Sequence, residues 1–244
     1  MQVDEVVARL RALGRPAALP AMARYGIDTS SAFGVAVPAR RLLAREIGRN
    51  HALAGELWSS GIHDARLLAG MIADPARLNA ADAEAWALDF RSWDLCDQCC
   101  LNLFRHLPFA HDLAARWQGH EREFVRRAAF SLIAVLAVHD KTAGDDRFAA
   151  CMPLIEAASG DPSPMVRKSV NWALRQIGKR NVALNTVAIR AAERIAKRGD
   201  KARWVAGDAL RELRSPPVQA RLRSAAARSR ASGRCPRRSG SAPR

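Results

Sequence analysis

The chain has 244 residues, 49% of them hydrophobic, and carries 39 Lys+Arg against 24 Asp+Glu for a formal net charge of +15. That apolar share supports a sizeable core and excludes wholesale disorder. The charge favours a polyanionic partner, nucleic acid before an anionic membrane surface. In chain order, the N-terminal MQVDEVVARL has an early acid pair and no apolar h-region, so it does not read as a secretory signal. Pro38 is placed to open a helix near its first position. Trp58-Ser-Ser-Gly-Ile-His63-Asp64 matches no nucleophile elbow and reads as a loop before a helix. The run Ala128 to Val138 is the longest apolar stretch, but Ser131 interrupts it and it is too short to span a bilayer. Around it, Val125, Ala128, Ala129, Leu132, Ile133 and Leu136 recur at helical spacing. His139-Asp140-Lys141 reads as the end of that helix. Ser163 followed by Pro164 predicts an N-cap and N1 proline, with Gly178 suited to the matching end. From Ser215 to Arg244 there are eight arginines and no acid, so residues 215–244 are expected to be a disordered basic tail and residues 1–214 the folded unit. Alanine, leucine and arginine dominate throughout and no alternating strand appears, so the fold class is all-α.

A repeat runs through the helices. Val125-Arg126-Arg127-Ala128 recurs as Val166-Arg167-Lys168-Ser169, 41 residues on, with a weaker relative at Ala202-Arg203-Trp204-Val205-Ala206. A period near 40 with Val-Arg at a helix start resembles HEAT repeats, in which each unit is a helical pair. In that register position 127 matches 168 and 131 matches 172. Arg127, Lys168 and Trp172 are then expected to project from one face of the solenoid, where cations meet phosphate and the aromatic packs on sugar or base.

The segment Phe90 to Cys100 is the most unusual in the chain. Trp93 and Asp97 lie four apart on one helix turn, a poor core pair unless the acid is compensated. In a cleft the pair can hold a sugar against the ring and aim an anion at a developing positive charge. Cys96, Cys99, Cys100 and His106 invite a zinc reading, but the Cys-x-x-Cys sits within a helix and lacks a partner pair, so small buried apolar packing is favoured and no metal is expected. Five cysteines, an odd number, do not make a disulfide framework, and a reducing cytosol fits them. Trp58, Trp86, Trp117 and Trp204 read as core or interface residues.

Four blocks together resemble the DNA alkylation repair glycosylases of the AlkD-like family. They are Pro20 to Tyr25 with Phe33-Gly-Val35, Pro38 and Arg40-Arg41; Ser92-Trp93-Asp94-Leu-Cys-Asp97; Val125-Arg-Arg127-Ala-Ala129; and Val166-Arg-Lys168-Ser-Val-Asn-Trp172-Ala-Leu-Arg175. The resemblance implies a HEAT-like α-solenoid of paired antiparallel helices whose basic concave face holds duplex DNA. It implies excision of cationic N3- and N7-alkylated purines without base flipping, leaving an abasic site. By the same resemblance Asp97 sits at the catalytic carboxylate and Trp93 and Trp172 at the aromatic positions that cradle the deoxyribose. Arg127 falls at the backbone-binding arginine, with Lys168, Arg175 and Tyr25 as further DNA contacts. Ser92, where some members place a second tryptophan, and the cysteine run after Asp97 depart from the pattern. Residues beyond Ser215 have no counterpart. The expected partner is double-stranded DNA with alkylated purines, with no cofactor and no membrane, for a cytoplasmic monomer that associates with the nucleoid on binding. The rival reading is a non-catalytic HEAT-repeat DNA-binding or scaffold protein.

Overall fold

The computed structural model describes residues 1–199 and 201–232, and among them no strand occurs. Helices α1 (Val3–Ala12), α2 (Leu19–Arg24), α3 (Val37–Ile47), α4 (His51–Ser59) and α5 (His63–Ile72) come first. Then follow α6 (Ala80–Leu88), α7 (Trp93–Asn102), α8 (Ala110–Trp117), α9 (Glu123–His139) and α10 (Asp145–Ala149). The series ends with α11 (Met152–Ala158), α12 (Pro164–Gly178), α13 (Val182–Ala196), α14 (Ala202–Leu213) and α15 (Pro216–Ser232). The breaks follow local chemistry. The side chains of Asn50, Ser163 and Asn181 accept backbone N–H bonds at the starts of α4, α12 and α13, and Asn79 with Asp82 forms a capping box on α6.

Helices α5, α7, α9, α12 and α14 pack each against the next to form an inner layer, and α4, α8 and α13 cover it from outside. This is the solenoid expected from the repeat, with one continuous apolar core running through it. The inner helices share a register. Buried Val166, Ser169, Val170, Ala173 and Ile177 of α12 recur 36 residues later as buried Ala202, Val205, Ala206, Ala209 and Leu213 of α14. With the 41-residue offset from α9, positions 128, 169 and 205 are therefore equivalent. Equivalent too are the bonds made to that position: the Cys100 thiol donates to the Ala128 carbonyl, and the Asn171 amide donates to the Val205 carbonyl. Asp97, Arg127, Lys168 and Trp204 thus hold one ridge position on α7, α9, α12 and α14. Small residues let the layers close. A Cβ on Gly178 would stand 2.7 Å from Leu213 Cδ2 and 2.9 Å from Ala188 Cβ.

One expectation is corrected. The segment after Ser215 is not wholly a disordered tail, because Pro216–Ser232 is helix. Val218 and Leu222, four apart, are buried on its one apolar stripe, and the Gln219 amide donates to Asn185 Oδ1 and to the Leu213 carbonyl. The remainder of that expectation, residues 233–244, lies outside the described residues. Of the four tryptophans read as core or interface, Trp204 lies outside the core, being 51% exposed. The other three behave as expected: Trp117 is buried, and Trp58 stacks on Trp86 with ring centroids 4.1 Å apart.

Candidate DNA-repair site

The inner layer gathers residues that are far apart in sequence. Tyr25, Trp93, Asp97, Arg127, Met165, Lys168 and Trp172 line one cavity of about 320 Å³. Trp93 opens α7 and Asp97 follows one turn later, so the helix period sets ring and carboxylate on the same side. Arg127 comes from the first turns of α9, and Lys168 and Trp172 lie one turn apart on α12. Tyr25 ends α2, is 73% exposed, and forms the rim. Its carbonyl accepts the Trp93 indole N–H at 2.8 Å, which fixes that ring against the N-terminal helices. The next residue, Gly26, has φ +77°, and a Cβ there would meet Met165 Cε at 3.2 Å. The left-handed backbone favours glycine at that position, and a Cβ would also make the flexible Met165 methyl give way.

Further along the N-terminal segment, Asp64 at the start of α5 anchors residues 33–35. Its carboxylate is fully buried and accepts the backbone N–H groups of Phe33, Gly34 and Val35 and the Arg40 guanidinium. Four donors compensate the buried charge and hold residues 33–35 in place. The signal was present in the sequence, since Phe33-Gly-Val35, Arg40 and Asp64 are the donors and the acceptor. Their spacing of 24 to 31 residues gave no local pattern to find.

Asp97 carries the local charge. Its Oδ1 accepts from Arg127 Nε at 3.0 Å and from the Ser131 hydroxyl at 2.7 Å, and its Oδ2 accepts from Arg127 Nη2 at 2.7 Å. Three of about four acceptor sites are taken, leaving one on Oδ2 of a carboxylate that still lines the cavity. Arg127 does not project from the face as the repeat register predicts. It is 5% exposed, and its Nη1 donates to the Met165 carbonyl at 2.6 Å. The physical reason is the acid on the preceding helix, which a buried guanidinium meets in bidentate fashion. Burial works against the Arg127 charge, but Asp97 outweighs it and holds the guanidinium above its usual pKa. The Arg127 guanidinium carbon also lies 5.9 Å from the Trp93 ring centroid, within cation–π range. Lys168, by contrast, is exposed.

The rest of the motif braces this arrangement. Asp94 accepts from the Ser92 hydroxyl at 2.7 Å and lies 2.9 Å from His63 Nε2. Burial pushes the Asp94 carboxyl up, but the His63 and Ser92 contacts win and hold it below the usual carboxylate range. Cys96, Cys99 and Cys100 are buried, and burial raises all three thiols. They act as small packing residues: a Cβ on Gly70 of α5 would already lie 3.3 Å from the Cys99 sulfur.

Residues 6–213 match the profile described as DNA alkylation repair enzyme. The chain belongs to the DNA alkylation repair enzyme family. Membership carries a DNA repair role with DNA as the partner. A search of curated proteins finds no match. Among solved structures, one described as "a new family of proteins related to the HEAT-like repeat DNA glycosylases with affinity for branched DNA structures" is similar, with a TM-score of 0.72 and 23% identity. The similarity covers 79% of this chain and 83% of that one and supports the HEAT-like fold. Within this DNA alkylation repair chain, Arg175 is the one predicted site residue that the cavity does not include. Its guanidinium pairs with Glu212 at 2.5 Å and approaches Asp208 at 3.7 Å, both on the next inner helix.

Proposed function

We propose that this member hydrolyses the N-glycosidic bond of cationic N3- and N7-alkylated purines in duplex DNA. One observation carries the reading: a carboxylate, Asp97, shares a single solvent-open cavity with Trp93, Trp172 and Tyr25. Alkylation has already put a positive charge on the purine. When the C1′–N bond breaks, its electron pair neutralises the base and cationic character moves to the sugar. Asp97 is placed to stabilise that cation and to orient the water whose oxygen bonds to C1′, with the proton passing to the carboxylate or to solvent. Tryptophan faces beside the sugar add electron density. Arg127 and Ser131 position the carboxylate. A cavity open at Tyr25 and Lys168 suits contact with the sugar-phosphate of a stacked nucleotide, so the base need not be flipped.

A second reading, non-catalytic DNA binding, is favoured by the commitment of Asp97 to Arg127, and it accords with the affinity for branched DNA ascribed to the similar structure. One assay separates the two. Duplexes carrying 7-methylguanine, uracil or hypoxanthine are incubated with wild-type protein and with Asp97→Asn, and base release is measured. The catalytic reading expects 7-methylguanine release by wild type, none of the two neutral bases, and a drop of about 10²-fold in Asp97→Asn. Wild-type protein that binds DNA and releases no alkylated base supports the second reading.

A further inference from the structure

Trp204 is unexplained by the cavity. It is 51% exposed on α14, so about half of a large apolar residue is left facing solvent. By the shared register it occupies the ridge position of Asp97, Arg127 and Lys168, one helix beyond Lys168. Exposed cations stand near it, Lys201 at the N-cap of that helix, Arg203 on it and Lys168 on the neighbouring one, while Asp208 one turn onward is engaged by Arg175 and Arg211. One turn onward stands Gly207, which is exposed and has nothing within 4 Å of where a Cβ would be. Packing does not require glycine there, and helix propensity disfavours it. A side chain on a helix leans over the turn N-terminal to its own Cα, so a residue at 207 with a side chain would cover the Trp204 ring. Gly207 leaves that ring bare.

We propose that Trp204 is a stacking platform for an unpaired base of single-stranded DNA lying along the ridge beyond the cavity. Bases within a duplex are already stacked on each other and present only their edges, so an exposed indole face between cations selects bases that have left the helix. Lys168, Lys201 and Arg203 would meet the phosphates on either side. This inference rests on the reading of the inner face as the DNA surface. It does not require base excision, so the outcome below is independent of the glycosylase assay.

The test measures dissociation constants of the full chain for a blunt duplex and for the same duplex with a single-stranded flap, at fixed salt. Trp204→Ala is expected to weaken flap-DNA binding about tenfold, with duplex binding changed less than twofold and an unaltered melting temperature. Trp204→Phe, which keeps a ring, is expected to retain most of the flap preference. Gly207→Leu, which covers the ring, is expected to lower flap binding as Trp204→Ala does. Equal losses on both DNAs, or no loss on either, would overturn the proposal, and the latter would assign the exposed indole to a protein contact.

Discussion

Arg127 and Lys168 occupy the same ridge position on adjacent inner helices and have opposite fates. Arg127 is buried and spent on the protein, with its guanidinium shared between Asp97 and the Met165 carbonyl. Lys168 is exposed. The difference lies in what the preceding helix offers. Facing α9, α7 presents Asp97 at the equivalent position; facing α12, α9 presents Arg127, already neutralised. A repeat therefore fixes where a side chain stands but not whether it is free to meet a ligand. The charge of the previous unit decides that, and it splits one ridge into a part that builds the site and a part that can face DNA.

The largest expected effect breaks the buried side of this contrast. Arg127→Met leaves the Asp97 carboxylate with Ser131 as its remaining partner and should cost about 3–5 kcal/mol in chemical denaturation, whereas Lys168→Met should stay within about 0.5 kcal/mol. Equal small losses in the two variants would show that the Arg127–Asp97 pair is not structural. Next comes α15. Deleting residues 216–244 removes the buried Val218 and Leu222 and should lower stability by about 3 kcal/mol, read as a drop in melting temperature. An unchanged melting temperature would return the whole segment to the status of a tail.

A third test addresses the exposed side. Lys168→Met should reduce the slope of log binding constant against log salt by about one unit on any duplex sequence, because a phosphate contact carries no sequence information. Arg127→Ala, if it folds, should leave that slope closer to wild type. The smallest effect is with acid. Asp94 and Glu212 are held below the usual carboxylate range in the fold, Asp94 by His63 and Ser92, and Glu212 by Lys179 and Arg175, each against the opposing push of burial. Groups with lowered pKa bind protons more tightly when unfolded. Their stabilisation is therefore full above the ordinary carboxylate pKa of about 4 and is lost as pH falls through the lower folded value. Asp94→Asn should accordingly flatten the fall of denaturation midpoint below about pH 5.

Much of this was legible beforehand. The 3.6-residue periodicity gave the helices, the Val-Arg recurrence gave the inner-layer offset, and Ser163 with Pro164 marked the start of α12, which the structure bears out. Trp93, Asp97, Arg127, Lys168, Trp172 and Tyr25 do meet in one cavity. Other features depend on partners that no local pattern reveals. Arg127 looked available because its acid is 30 residues away. Asp64 looked like a loop residue because its four donors lie 24 to 31 residues upstream. The α15 helix was hidden by composition, since two apolar residues among arginines and serines give no periodic signal strong enough to outweigh the charge. For Trp204 the residue type leaves core and interface both open, and its exposure depends on where the array leaves it.

The bond from Trp93 to the Tyr25 carbonyl has a kinetic corollary. A stacked array is dominated by contacts between neighbours, so its units can order themselves progressively from any point along the chain. The Tyr25–Trp93 bond joins residues 68 apart, and the close approach of Gly26 to Met165 spans far more, so this rim depends on contacts of long sequence separation. Closing such long loops costs entropy that only the finished neighbours can offset. The array can thus acquire most of its helices before the rim docks, and the expected order is that the cavity closes late in folding and opens early in local unfolding, which amide hydrogen exchange at residues 25 and 26 would read.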